Sequence, residues 1–90
     1  MLAVRAVPTF IRVAKKLHPP EKKILDEAIK KVSKNPSLGE EKRGDLVAVF
    51  VYKFKINQQQ FLLAYEWDPT LRILLALVVH ENFYRDLKRK

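Results

Sequence analysis

The chain has 90 residues, 48% hydrophobic and 31% charged, with 18 basic against 10 acidic side chains and a net charge of +8. That length suits one domain over residues 1–90, which buries roughly 60–65% of its unfolded surface. The lack of cysteine excludes a disulfide framework and a thiolate metal site.

The charge favours nucleic acid, an acidic protein or an anionic surface as partner. The plain alternative is a set of lysine-rich solvated faces that keep the protein soluble. Two histidines, His18 and His80, are too few and too far apart for a local zinc motif. No apolar run approaches the ~20 residues of a membrane span. The opening MLAVRAVPTF lacks the apolar core of a signal peptide, so a cytoplasmic protein is expected.

In chain order, Leu2 to Val7 reads as a short strand that Pro8 ends. Pro8-Thr9 opens a helix in which Phe10, Val13, Ala14 and Leu17 share one face of a 3.6-residue period. His18-Pro19-Pro20 stops it and starts the next, because proline suits a first helical turn but not an interior. His18 there reads as structural. Glu21 to Lys34 is the second helix, with Ile24, Leu25, Ala28, Ile29 and Val32 as its apolar stripe. Its acidic residues come first and its lysines last, in agreement with the helix dipole. Asn35-Pro36-Ser37 ends it, and Leu38 to Gly44 reads as a charged loop.

From Asp45 to Val79 come three apolar runs, DLVAVFVYKFKI, FLLAYEW and LRILLALVV, separated by NQQQ and DPT. They are rich in residues that suit a pleated surface, and the breaks are short enough to force antiparallel hairpins. Lys53 and Lys55 lie two apart in the first run, so they project from one face. Two ammonium groups on one strand face imply a wet face with an anionic partner. A hairpin turn centred on Gln58-Gln59 would set Lys55 opposite Leu62, Lys53 opposite Ala64 and Val51 opposite Glu66. The closing HENFYRDLKRK has Phe83, Tyr84 and Leu87 at helical spacing and reads as a helix of about two turns. The expected fold is α+β, with the order β-α-α-β-β-β-α. Two N-terminal helices pack on one face of a small, mainly antiparallel sheet, and the other face carries Lys53 and Lys55.

This order, the basic charge and the length together resemble the RelE/ParE superfamily of bacterial type II toxins. The resemblance spans nearly the whole chain. It rests on the glycine-bearing loop (Gly39-Glu40, then Arg43-Gly44-Asp45-Leu46), the Tyr52-Lys53-Phe54-Lys55 strand, the Leu-Leu-Ala-Tyr strand at 62–65 and the tail from His80 to Leu87. It implies a RelE-like fold and either ribosome-dependent mRNA cleavage or, in the ParE branch, inhibition of DNA gyrase. It also implies a cognate antitoxin protein that wraps the toxin, with the ribosome and mRNA as further partners and no membrane. The Tyr-Lys-Phe-Lys strand is similar to the one that supplies two catalytic lysines in the RelE nucleases. Where those nucleases carry an arginine on the next strand, this chain has Leu62. His80 and Tyr84 look more like the histidine-using nucleases of the superfamily, so the site is either a mixture or one that has lost the nuclease role.

Cleavage without a metal or cofactor needs a base for the 2′-hydroxyl, cations for the phosphate oxygens and an acid for the leaving 5′-oxygen. Lys53 and Lys55 supply charge, His80 titrates near neutrality, and Tyr84 can stack or donate a proton. These four are the candidate catalytic residues; Arg43, Arg85, Lys88 and Arg89 are candidate RNA or phosphate contacts. Each has a plainer reading. The lysines can be charges that guard an exposed strand. His80 can cap the last helix, Tyr84 can be packing, and the basic end can be a solvated tail. A strand-end Trp67 usually packs. Three functions stay open: an endoribonuclease, a gyrase inhibitor, and an inactive toxin that only binds its antitoxin.

Overall fold

The computed structural model describes residues 3–43 and 48–79. Strand β1 (Ala3–Ala6) leads through Val7 into helix α1 (Pro8–Lys15). Proline at the first helical position lacks only an N–H that would have no helical partner anyway. Helix α2 (Pro19–Lys34) takes both prolines into its first turn for the same reason, two residues earlier than Glu21. His18 is its N-cap residue, and the Glu21 carboxylate accepts the His18 backbone N–H at 2.8 Å. A single 3-10 turn (Pro36–Leu38) follows.

Next comes an element that the sequence did not suggest. Glu40–Arg43, expected as loop, is strand β2, antiparallel to β3 (Ala48–Ile56) from Glu40 opposite Val51 to Arg43 opposite Ala48. Its four side chains are all charged, which suits a sheet edge, where charge discourages another strand from adding. Strands β4 (Gln59–Asp68) and β5 (Leu71–Val79) complete a five-stranded sheet in the order β1-β5-β4-β3-β2. All neighbours are antiparallel except β1 and β5. The architecture is the expected α+β one with a strand added. The expected C-terminal helix lies outside the described residues.

The hairpin between β3 and β4 turns on Asn57 and Gln58, with φ of 50° and 71°. Two consecutive left-handed residues make the tight turn whose twist matches the strands it joins. The turn therefore sits one residue earlier than Gln58-Gln59, and every pairing moves by two. Lys55 faces Gln60, Lys53 faces Leu62 and Val51 faces Ala64. A shift of two keeps each side chain on its face, because the pleat repeats every two residues. Further along, a bulge between Ala64 and Tyr65 interrupts the β4–β5 ladder and leaves Leu75 unpaired.

The core lies between the helices and one face of the sheet. Phe10 from α1 and Leu25 and Val32 from α2 meet Ile56, Phe61, Leu63, Tyr65, Leu74 and Leu77 from the strands. Each such apolar side chain contributes roughly 1.5–3 kcal/mol on burial. The opposite face of the sheet is not covered by α1 or α2.

Candidate nucleic-acid interface

The open face is built by alternation. On β3, Tyr52, Phe54 and Ile56 turn toward the helices, so Val51, Lys53 and Lys55 turn away. Both lysines are exposed, with Cα atoms about 7 Å apart at strand spacing. Across the sheet, the Lys53 row continues through Leu62 to Val78, and the next row runs Glu40, Val51, Ala64, Ala76. The surface is thus a band of small and branched apolar side chains with cations at its β3 side. Leu62 is buried at 8% exposure, while Val78 is 39% exposed.

A carboxylate from β2 joins these cations. Glu40 accepts a hydrogen bond from Lys42 Nζ at 3.0 Å, and both lie on the open face. The Lys42 ammonium holds the Glu40 carboxyl below the usual carboxylate range, and the charge of Lys53 adds to the effect. Among the described residues, the open face therefore offers fixed positive charge, the Glu40 carboxylate, Glu66 further along β4, and apolar surface.

A buried latch sets where β2 begins. The Tyr65 hydroxyl donates to the Pro36 carbonyl at 2.6 Å and accepts the Gly39 N–H at 3.0 Å. Burial pushes the Tyr65 phenol up from its ordinary value, while the Gly39 hydrogen bond works the other way. A Cβ at Gly39 would stand 2.6 Å from the Tyr65 oxygen, so the loop can approach the phenol only with glycine there. The residue after that glycine is Glu40, so the latch also fixes the carboxylate on the open face.

A second tie closes the other end of the sheet. Arg72, only 6% exposed, donates from Nε to the Ser33 carbonyl at 3.1 Å. Its Nη1 donates to the Asp68 and Leu71 carbonyls at 2.5 and 3.2 Å. The Ser33 carbonyl belongs to the last turn of α2, which a cation suits on both hydrogen-bonding and dipole grounds. The guanidinium also lies 5.5 Å from the centre of the Trp67 ring. Nearby, the Asp68 carboxylate accepts the Thr70 N–H at 2.8 Å, the main reason its carboxyl sits below the usual range.

Of the candidates from the sequence, the structure brings Lys53 and Lys55 together on the face away from the helices. Arg43 is the last residue of β2, with Ala48 as its partner. His80, Tyr84, Arg85, Lys88 and Arg89 lie outside the described residues. Sequence reasoning missed Glu40, which it left in a loop. It also missed Arg72, although a lone cation inside an apolar strand run is a signal for a buried, bonded charge.

The sequence over residues 4–88 matches the family described as the ParE-like toxin of type II bacterial toxin-antitoxin systems. No curated protein matches the sequence. Among solved structures, the chain is similar to one in the intact Escherichia coli RelBE toxin-antitoxin complex, with a TM-score of 0.65 at 12% identity, covering 87% of this chain and 95% of that one. It is similar to the isolated E. coli RelE toxin, with a TM-score of 0.65 at 17% identity over 99% and 98% of the two chains. It is also similar to a chain of the archaeal RelE-RelB complex from Pyrococcus horikoshii OT3, with a TM-score of 0.59 at 11% identity over 87% and 93%. At these identities the likeness shows the fold, which is that of RelE. The match to the sequence family spans nearly all of the chain, and the chain therefore belongs to the ParE-like toxins of type II bacterial toxin–antitoxin systems.

Proposed function

We propose that this toxin is an endoribonuclease that cuts mRNA on the ribosome, acting in the cytoplasm and restrained by a cognate antitoxin. The observation that carries this reading is the pair of exposed ammonium groups, Lys53 and Lys55, on the sheet face opposite α1 and α2. In the reaction, the 2′-oxygen loses its proton and attacks phosphorus. The bond to the 5′-oxygen breaks, a cyclic phosphate forms, and the leaving oxygen takes up a proton. The two lysines hold the phosphate oxygens and offset the charge that grows on them. His80 and Tyr84 are the candidates for moving the two protons. Arg43, Arg85, Lys88 and Arg89 are the candidates for gripping the backbone.

The partner suited to a chain of charge +8 is an acidic or amphipathic protein segment. The RelE chains of E. coli and P. horikoshii are each found in a complex with RelB. A cognate antitoxin for this chain is expected to co-purify with it.

A second reading has an observation of its own. Across from Lys53 stand Leu62 and then Val78, an apolar row where a nuclease of this kind would gain from another cation. That row suits a ParE-like inhibitor that docks on DNA gyrase without chemistry. Primer extension on mRNA from translating ribosomes separates the two. New 5′ ends that vanish when Lys53 and Lys55 are both replaced by Ala support the nuclease. Growth arrest without new ends, together with blocked supercoiling by purified gyrase, supports the inhibitor. Expression without harm when the antitoxin is absent would mark an inactive toxin.

A further inference from the structure

The site above uses one face of the sheet. At the other end of β4, on the helix side, a second group of side chains has the form of a platform. Trp67, the chain's only tryptophan, is 37% exposed, although its strand partner Arg72 is buried. Two groups hold its ring. Phe50 meets it edge-on, with centroids 5.8 Å apart, and Phe50 in turn stacks on Tyr65 at 5.9 Å. Tyr65 is locked by its bonds to Pro36 and Gly39. Arg72 lies 5.5 Å from the indole centre and is itself pinned to three main-chain carbonyls. An aromatic ring fixed in this way loses little freedom when a second flat group stacks on it.

We infer that the exposed part of Trp67 is a stacking site for an unpaired base of the RNA that the toxin grips. Charge selects this occupant. A guanidinium against the indole draws on its π-electrons, which favours an electron-rich purine over another cation. Lys34, exposed at the end of α2 one residue past the Ser33 that Arg72 holds, and a net charge of +8 favour a chain of phosphates beside it. Along β4, Trp67 lies five residues from Leu62, about 17 Å at strand spacing, so the platform is separate from the lysine pair. The strand passes an outer base to Trp67 while its reacting phosphate lies on the far face. This inference rests on the reading that the chain binds RNA.

The single tryptophan makes the test direct. The 90-residue chain is titrated with an unstructured oligoadenylate of about ten nucleotides, and both indole fluorescence and affinity are followed. Saturable quenching is expected. Trp67→Phe keeps a ring and should bind nearly as the parent does. Trp67→Leu keeps apolar bulk without a π-face and should bind about tenfold more weakly, as for one lost stacked base. Binding that leaves the fluorescence unchanged, or a Leu variant that binds as well as the parent, overturns the inference but leaves the nuclease reading standing. If the Leu variant does not fold, quenching in the parent decides. If no RNA binds, and the Lys53→Ala/Lys55→Ala variant behaves as the parent does, both readings fall. If the antitoxin quenches the indole while RNA does not, the patch belongs to the protein partner and the base site is refuted.

Discussion

On strand β3, Tyr52, Phe54 and Ile56 turn toward the helices, whereas Val51, Lys53 and Lys55 turn away. On β4 the same division sets Leu63 and Tyr65, both fully buried, against Ala64 and Glu66, which are only half-buried. The two faces share one backbone and one ladder of hydrogen bonds. Their side chains answer to different demands. The helix side is filled by large apolar groups, and the Tyr65 hydroxyl and Arg72 guanidinium there are bound to the main chain. The open side carries charge beside small and branched apolar residues. A single step along the strand thus separates side chains that pack on the helices from side chains that do not.

Four variants would break or sharpen that contrast. The largest loss is expected from Leu63→Ala, which empties a fully buried position at the centre of the packed face. It should cost about 3 kcal/mol in a urea melt. A result under 1 kcal/mol would mean that the core is not where the contrast puts it. Arg72→Met is next. It keeps the stem but leaves the Ser33 and Asp68 carbonyls without their donor, at a cost of about 2 kcal/mol. An unchanged melt would show that the tie is dispensable.

Tyr65→Phe should cost about 1–2 kcal/mol at neutral pH, since it strands the Pro36 and Gly39 groups. It also carries a signature in alkali. The Tyr65 phenol is raised above its ordinary value, so the folded state keeps a proton that the unfolded chain releases near pH 10. That stabilisation is whole below about pH 10 and is lost as pH climbs toward the folded value. The gap between parent and variant should therefore narrow above about pH 10 in urea melts. A gap that stays constant would rule out the phenol as its source.

The smallest effect on stability is expected from the Lys53→Ala/Lys55→Ala pair, within about 0.5 kcal/mol of the parent. Growth arrest on expression should nevertheless be lost. Full toxicity in a variant that lacks both ammonium groups would end the case for the open face.

How much of this could be read beforehand differs from residue to residue. Lys53 and Lys55 were legible as face mates because two-residue periodicity is local. Strand β5 was legible to the residue, since an unbroken apolar run bounded by DPT allows little else. The register was misjudged by two because the turn was placed on glutamines. Asn57, which tolerates a left-handed backbone better, was the better signal. Strand β2 was illegible because EEKR has no apolar periodicity; it pairs only because β3 offers a free edge. The Tyr65 latch spans 26 and 29 residues, and no local pattern carries contacts of that range.

Among the described residues, the one parallel pairing in the sheet sets the order in which the protein can be finished. Ala3 must lie beside Leu71, so the first strand made waits for the last before it has a neighbour. Closing so long a loop delays completion of the sheet until β5 is available, and it slows folding relative to a chain built from hairpins alone. A toxin assembled in this way has a period after synthesis in which β3 and β4 can pair while its outer strand is still unplaced.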